Sequence, residues 1–168
     1  MPGSAMSALR VVCLSDTHLH QPRGLPVWCL RRLEGADLIV HCGDLVTLSV
    51  LERLERLAPV AAVRGNMDAA PLKFRLPARH VAEIGGVKIG LLHDSGPALG
   101  RTARLAQAFA DCDAVVFGHT HVPVIQRLGR RLILNPGSPT APRSSLGATM
   151  LELAISNVGA IEPQIVIP

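Results

Sequence analysis

The sequence predicts an α/β fold whose parallel sheet gives way to mixed, partly antiparallel strands. Three observations lead there. Apolar runs alternate with helical spacing through residue 63, glycine-centred hairpins follow, and the core material is aliphatic, with 48% hydrophobic but only 2% aromatic residues. Val, Leu, Ile and Ala must therefore fill the interior. A length of 168 residues suits one domain with one sizeable core, and 18% charged residues beside that apolar content exclude disorder.

The elements follow in order. Residues 10–14 are a short apolar run, strand one; 25–33 carry helical spacing; 37–41 (DLIVH) are strand two, ending at Cys42-Gly43-Asp44. Residues 46–57 repeat apolar positions at three and four, a helix, and 60–63 are strand three, followed by Arg64-Gly65-Asn66. Strand–helix–strand alternation predicts a buried parallel sheet with right-handed crossovers. Residues 80–84 and 87–92 flank Gly85-Gly86, a hairpin signal. A helix over 99–109 precedes a strand over 114–117, which ends in Gly118-His119-Thr120-His121. Residues 122–127 and 131–134 flank Gly129 as a second hairpin, and 148–155 and 161–167 are late strands. The Pro/Ser-rich stretch 135–145 reads as a functional loop. Residues 1–7 are small and polar and read as a flexible start or an expression remnant, leaving 8–168 as a single domain.

Composition narrows the function. No apolar run reaches the roughly 20 residues of a membrane span, and residues 11–14 are too short for a signal-peptide core; no membrane partner and a cytoplasmic location are expected. Cys13, Cys29, Cys42 and Cys112 form no Cys-x-x-Cys pair and read as buried free thiols. The formal charge of +4 comes from scattered arginines. Specific nucleic-acid binding calls for a clustered basic face and stacking aromatics, which this chain lacks. A mild positive field still suits a small anionic substrate. Hairpins leave strand edges, which allow a homodimer.

The chemistry lies where polar residues interrupt the apolar pattern. Each strand ends in potential metal ligands: Asp16-Thr17-His18, Gly43-Asp44, Gly65-Asn66, His93 and His119-Thr120-His121. In open α/β sheets ligands gather beyond the carboxyl ends of the strands, so five ends converging on one rim can surround one site. Residues two apart in extended chain face the same side, which predicts that Asp16 with His18, and His119 with His121, point into one pocket. Glycines 43, 65 and 118 are expected to let the backbone turn sharply before each ligand. Carboxylate, imidazole and amide oxygen suit divalent metals of intermediate hardness: manganese first, with nickel, iron, zinc or magnesium as alternatives. Seven ligands exceed the need of one zinc and suit two metals about 3.5–4 Å apart if one carboxylate bridges.

Asp16-x-His18, Gly43-Asp44, Gly65-Asn66-x-Asp68, His93, Gly118-His119-Thr120-His121 and Asn135-Pro136-Gly137-Ser138, in this order, resemble the calcineurin-like metallophosphoesterases, specifically their small YfcE-like phosphodiesterase branch. The resemblance implies a four-layer αββα sandwich of two mixed β-sheets flanked by helices. It assigns Asp16, His18 and His121 to one metal, Asn66, His93 and His119 to the other, and Asp44 to both. It further implies direct hydrolysis of a small phosphoester by a metal-bridging hydroxide positioned by Asp44, Asn66 and His93. Asn66, Asn135, Gly137, Ser138 and Arg143 are the candidate substrate contacts.

Two departures bear on substrate choice. Relatives that act on monoesters often carry a proton-donating His after the Gly-Asn pair; here Met67 cannot donate, leaving His20 as the candidate acid and favouring diesters. Asp94 stands where the branch usually has Gly, offering a carboxylate that supports the site or repels an anion. His41 reads as a second layer of support or a core histidine, and Asp68 as an orienter of a ligand or a turn cap. An amidohydrolase barrel, suggested by Asp16-x-His18-x-His20, needs about 250 residues and fails on length. The rival from another class is a retromer-subunit-like scaffold of the same fold, catalytically weak or inactive.

Overall fold

The computed structural model describes residues 8–168; the flexible start expected for residues 1–7 lies outside the described residues. The chain runs β1 (Leu9–Leu14), α1 (Val27–Leu33), β2 (Leu38–His41), α2 (Leu48–Glu55), β3 (Val60–Ala62), α3 (Ala70–Arg75), β4 (Arg79–Ile84), β5 (Val87–Leu92), α4 (Arg101–Ala108), β6 (Ala114–Val116), β7 (Pro123–Leu128), β8 (Arg131–Pro136), β9 (Met150–Ile155) and β10 (Ile161–Val166). Every strand expected from the apolar runs is present. One helix, α3, was not expected: it is six residues long, carries Pro71 as its second residue and buries only Leu72. Pro in the first turn, where its missing N–H costs nothing, is the one signal that could have revealed it.

Ten strands divide into two five-stranded sheets, ordered β10-β9-β1-β2-β3 and β4-β5-β6-β8-β7. In the first, β1, β2 and β3 are parallel, with Val11 opposite Leu38 and Ile39 opposite Val60; β9 and β10 add antiparallel partners. In the second, β5, β6 and β8 are parallel, and the hairpin strands β4 and β7 close its edges antiparallel.

Period-two alternation sorts the side chains into layers. In β1, Val11 and Cys13 face the other sheet, where they join Val40, Ile89, Leu91, Val116 and Leu134. Val12 and Leu14 face outward and are covered by Cys29 and Leu33 of α1, Val50, Leu51 and Leu54 of α2, and Leu72 of α3. On the far side, Leu105 of α4 and Phe109 cover Val115, Phe117 and Ile133. The result is a four-layer αββα sandwich. All four cysteines are free and buried. Among the described residues, no helix is long and apolar enough to cross a membrane.

The two parallel cores place five strand ends together. β1, β2 and β3 deliver the segments after Leu14, His41 and Ala62; β5 and β6 deliver those after Leu92 and Val116. Four of these are joined directly: Asp16 N–H donates to the Gly43 carbonyl at 3.0 Å, His18 N–H to the Asp44 carbonyl at 2.9 Å, and Gly118 N–H to the His93 carbonyl at 3.0 Å.

Candidate metal centre

At this rim the seven candidate ligands form one continuous run of polar contacts. Asp16 Oδ1 lies 3.4 Å from His121 Nε2, which lies 3.2 Å from His18 Nε2. His18 Nε2 is 3.5 Å from Asp44 Oδ2, and the same oxygen is 3.4 Å from His93 Nε2. That nitrogen is 2.9 Å from Asn66 Oδ1 and 3.3 Å from His119 Nδ1. Asp44 thus stands in the middle of the run. Asp16 with His18 and His121, and Asp16 with Asp44 and His93, each bring ligand atoms within 4.8 Å of one another, close enough to hold a metal ion.

The protonation pattern explains why the centre suits cations. His121 Nδ1 lies 2.6 Å from the Ala141 carbonyl and His93 Nδ1 lies 2.7 Å from the Cys42 carbonyl. A carbonyl can only accept, so both Nδ1 atoms carry a proton and each ring turns its Nε2 inward, toward the other ligands. The inward Nε2 of His93 lies 3.4 Å from Asp44 Oδ2 and 2.9 Å from Asn66 Oδ1, and that of His121 3.4 Å from Asp16 Oδ1, positions where a proton or a metal cation can sit between nitrogen and oxygen. The same hydrogen bonds fix ring orientation, as carbonyls behind metal-binding histidines commonly do.

The local backbone departs from expectation in an informative way. Asp16, His18, Asp44, His119 and His121 all have positive φ, between 47° and 69°. The paired ligands do converge, but through left-handed turns and not through extended chain. Each non-glycine residue held there costs of the order of 1–3 kcal/mol, strain that persists only where the surroundings overdetermine it and that clusters at functional sites.

The glycines also divide their roles. Gly43 has φ +90° and supplies the turn, but Gly65 and Gly118 lie outside the left-handed region and are there for space. A Cβ on Gly118 would sit 2.8 Å from the Cys42 carbonyl and 3.0 Å from Asp16 Oδ2; one on Gly65 would overlap Asp44.

A shell of buried polar residues holds the turns. Asp68 accepts from the N–H groups of Val46 and Gly65, both at 2.7 Å, and so ties the Asp44 loop to the Asn66 loop. His41 accepts from Gly43 N–H at 3.2 Å on Nδ1, which leaves Nε2–H to donate to Thr17 Oγ1 at 3.2 Å. Burial, helped by the neighbouring His93, lowers the His41 pKa to about 3, so it stays neutral. Asp16 also accepts from His119 N–H at 2.9 Å; burial raises its pKa. Burial works the same way on Asp44, but the His93 ring and the Met67 N–H outweigh it and hold that carboxyl below its usual range. His93 is raised: burial opposes its charge, and Asp44 and the Cys42 carbonyl prevail.

The remaining candidates sit farther back. Asn135 is fully buried; its amide donates to the Gly118 carbonyl and Thr120 Oγ1, each at 3.0 Å, and its Oδ1 accepts from Gly137 N–H. Ser138 donates to the Asp16 carbonyl at 2.7 Å. These two and Gly137 brace the ligand loops from behind. Arg143 is exposed, and its N–H donates to the His121 carbonyl at 3.3 Å. His20 is exposed, and its carbonyl accepts from Thr47. Met67 is 57% exposed beside the centre.

On the Asn66, His93 and His119 side the centre opens into a cleft of about 470 Å³ whose lining includes Arg64, Lys73 and Arg79. Sequence reading missed these three. They fall within 16 residues of one another, but at no spacing that a helix or strand would place on one face, and the turns around α3 bring them together.

Comparison with known proteins agrees with this geometry. The family model of the calcineurin-like phosphoesterase superfamily domain matches residues 9–158. A probable metallophosphoesterase of Methanocaldococcus jannaschii is 39% identical over 143 residues, covering 82% of this chain and 71% of that protein. A phosphodiesterase of the same archaeon is 27% identical over 141 residues, covering 77% and 83%. The crystal structure of Vps29 complexed with zinc from Entamoeba histolytica superposes with a TM-score of 0.73 at 25% identity, covering 94% of this chain and 98% of that one. Two packed mixed sheets, a rim of carboxylate, imidazole and amide donors at their strand ends, and a match over most of the sequence establish that the chain belongs to the calcineurin-like phosphoesterase superfamily.

Proposed function

We propose that the protein hydrolyses phosphodiesters with two divalent cations, manganese being the first candidate. The observation that carries this reading is the unbroken run of seven donors, with imidazole nitrogens facing carboxylate and amide oxygens and Asp44 in the middle. Asp16, His18 and His121 would hold one ion, Asn66, His93 and His119 the other, and Asp44 both. When bound, such a pair supplies an activated water and charge neutralisation for a phosphoryl group.

The chain's own contribution is positional. The Ala141 and Cys42 carbonyls hold His121 and His93 with Nε2 inward. Asn66 turns Oδ1 toward His93, which leaves its exposed NH2 to donate to a phosphoryl oxygen. Asp44 stays ionised because His93 and the Met67 N–H favour its charge. Met67 offers no proton to a departing alkoxide. Proton delivery then falls to solvent or to His20, and diesters with good leaving groups are favoured over monoesters. The phosphodiesterase of M. jannaschii supports this choice. Four buried free thiols suit the reducing cytoplasm.

A second reading, a scaffold of the same fold, is favoured by the likeness to Vps29, which binds zinc in this fold. One assay separates them. The purified protein is given manganese, nickel, iron or zinc and bis(p-nitrophenyl) phosphate. Turnover that depends on added metal supports the hydrolase; none with any metal, despite metal bound by calorimetry, overturns it in favour of the scaffold.

A further inference from the structure

We infer that the cleft beside the metal centre selects substrates carrying a second phosphate, held by Arg64, Lys73 and Arg79 while the scissile diester lies at the centre. The inference rests on the phosphodiesterase reading and narrows its substrate class. Asn66, His93 and His119 line the 470 Å³ cleft together with the three cations. They come from separate elements: Arg64 follows β3, Lys73 lies in α3, and Arg79 opens β4 opposite Leu92. Beyond the ligands, these three side chains are the cationic groups the cleft offers an anion.

Their existing bonds leave donors to spare. Arg64 Nη1 donates to the Lys73 carbonyl at 3.0 Å, and Lys73 Nζ to the Asn66 carbonyl at 3.1 Å. These two contacts crosslink the wall and hold both charges over the cleft. Among the described residues none of the three takes part in an ion pair, although the chain's other arginines 10, 32 and 75 do. Asp94 is the opposing charge in the cleft, and its Oδ1 is engaged by Gly96 N–H at 2.8 Å. The walls therefore keep an excess of two positive charges, three less one, beyond the ligands. Guanidinium groups recognise phosphate through two parallel hydrogen bonds, and a recess focuses such a field. A neutral leaving group leaves these charges unanswered, whereas a second phosphate answers them.

The probes are the dinucleotide TpT and its 5′-phosphorylated form pTpT, which differ by one phosphate. The expected result is a kcat/KM about tenfold higher for pTpT at low salt, shrinking as salt screens the contact. In the double variant Arg64→Ala/Arg79→Ala the ratio of the two values falls to about one. Equal kcat/KM for both dinucleotides in the wild type, or an unchanged ratio in the variant, overturns the inference. If bis(p-nitrophenyl) phosphate is still hydrolysed, the phosphodiesterase reading survives that failure. A second readout needs no turnover: thymidine 3′,5′-bisphosphate titrated calorimetrically into protein in EDTA. Binding that weakens about tenfold or more in the double variant supports the cleft; equal binding to both proteins, or to neither, overturns it.

Discussion

Replacing Gly118 by alanine tests whether the centre depends on close approach of backbone. The added methyl would lie 2.8 Å from the Cys42 carbonyl, 3.0 Å from Asp16 Oδ2 and closer still to Ser15 Oγ. None of these is the free end of a flexible chain. Ser15 is tied to the Cys42 carbonyl at 3.1 Å, and Asp16 is gripped by the His119 N–H. Overpacking of this kind costs about 1–3 kcal/mol. For a domain of this size that lowers the melting temperature by about 2–12 °C. The shift should appear in EDTA, because its cause is packing. A second effect should appear only with metal. Moving Asp16 relative to His119 disturbs a ligand and its hydrogen-bond partner together, a change worth about 10–100-fold in metal affinity. That removes about 1.4–2.7 kcal/mol of the stabilisation that manganese confers at saturating concentration. Differential scanning calorimetry with and without manganese separates the two. A variant that melts at the wild-type temperature in EDTA and gains the wild-type increment from manganese would refute the close-approach reasoning.

Three further outcomes are expected. Asp44→Asn and His121→Ala should each abolish diester hydrolysis while circular dichroism stays close to wild type; full activity in either would overturn the ligand assignment. His41 is neutral when folded, with a pKa of about 3 against about 6.5 when unfolded, so the unfolded chain gains a proton that the folded one refuses. Stability should fall as pH drops from about 6.5 toward 3, by up to about 1.4 kcal/mol per unit from this residue. His41→Gln, which can keep both hydrogen bonds, should show a shallower loss between pH 7 and 5 by urea titration, and parallel slopes would count against it. Cys13→Ala should keep hydrolytic activity in the chromogenic assay, because burial pushes that thiol far above its usual range and no thiolate is needed; loss of turnover without loss of folding would contradict this.

How far the molecule was legible in its sequence depended on which force set each feature. The strands were readable because both faces of each parallel strand are buried, so 38–40 and 114–117 had to be apolar throughout before the polar ligands follow. The ligands were readable because each sits one to four residues past such a run. Two physical details were not. Extended geometry was the basis for pairing Asp16 with His18, yet these residues adopt φ of 55° and 47°, a conformation in which aspartate and histidine are enriched but still uncommon, so residue type alone does not announce it. Gly65 and Gly118 looked like turn residues, but what they avoid is a neighbour 21 or more positions away, which local reasoning cannot see. Arg64, Lys73 and Arg79 were hidden for a different reason: they are close in sequence, but α3, whose turns bring them to one cleft, was not legible.

The division of donors between the two sheets has a further consequence. His18 and His121 are 103 positions apart, and their rings meet with Nε2 atoms at 3.2 Å. An ion gripping both would act as a removable staple across most of the chain. A covalent bridge closing a loop of about 100 residues restricts the unfolded ensemble by about 4.7 kcal/mol, which sets the scale for such a coordinate link. Chelation would then loosen the seam between the halves of the sandwich as well as silence the chemistry, making metal supply a control on the protein's lifetime against proteolysis.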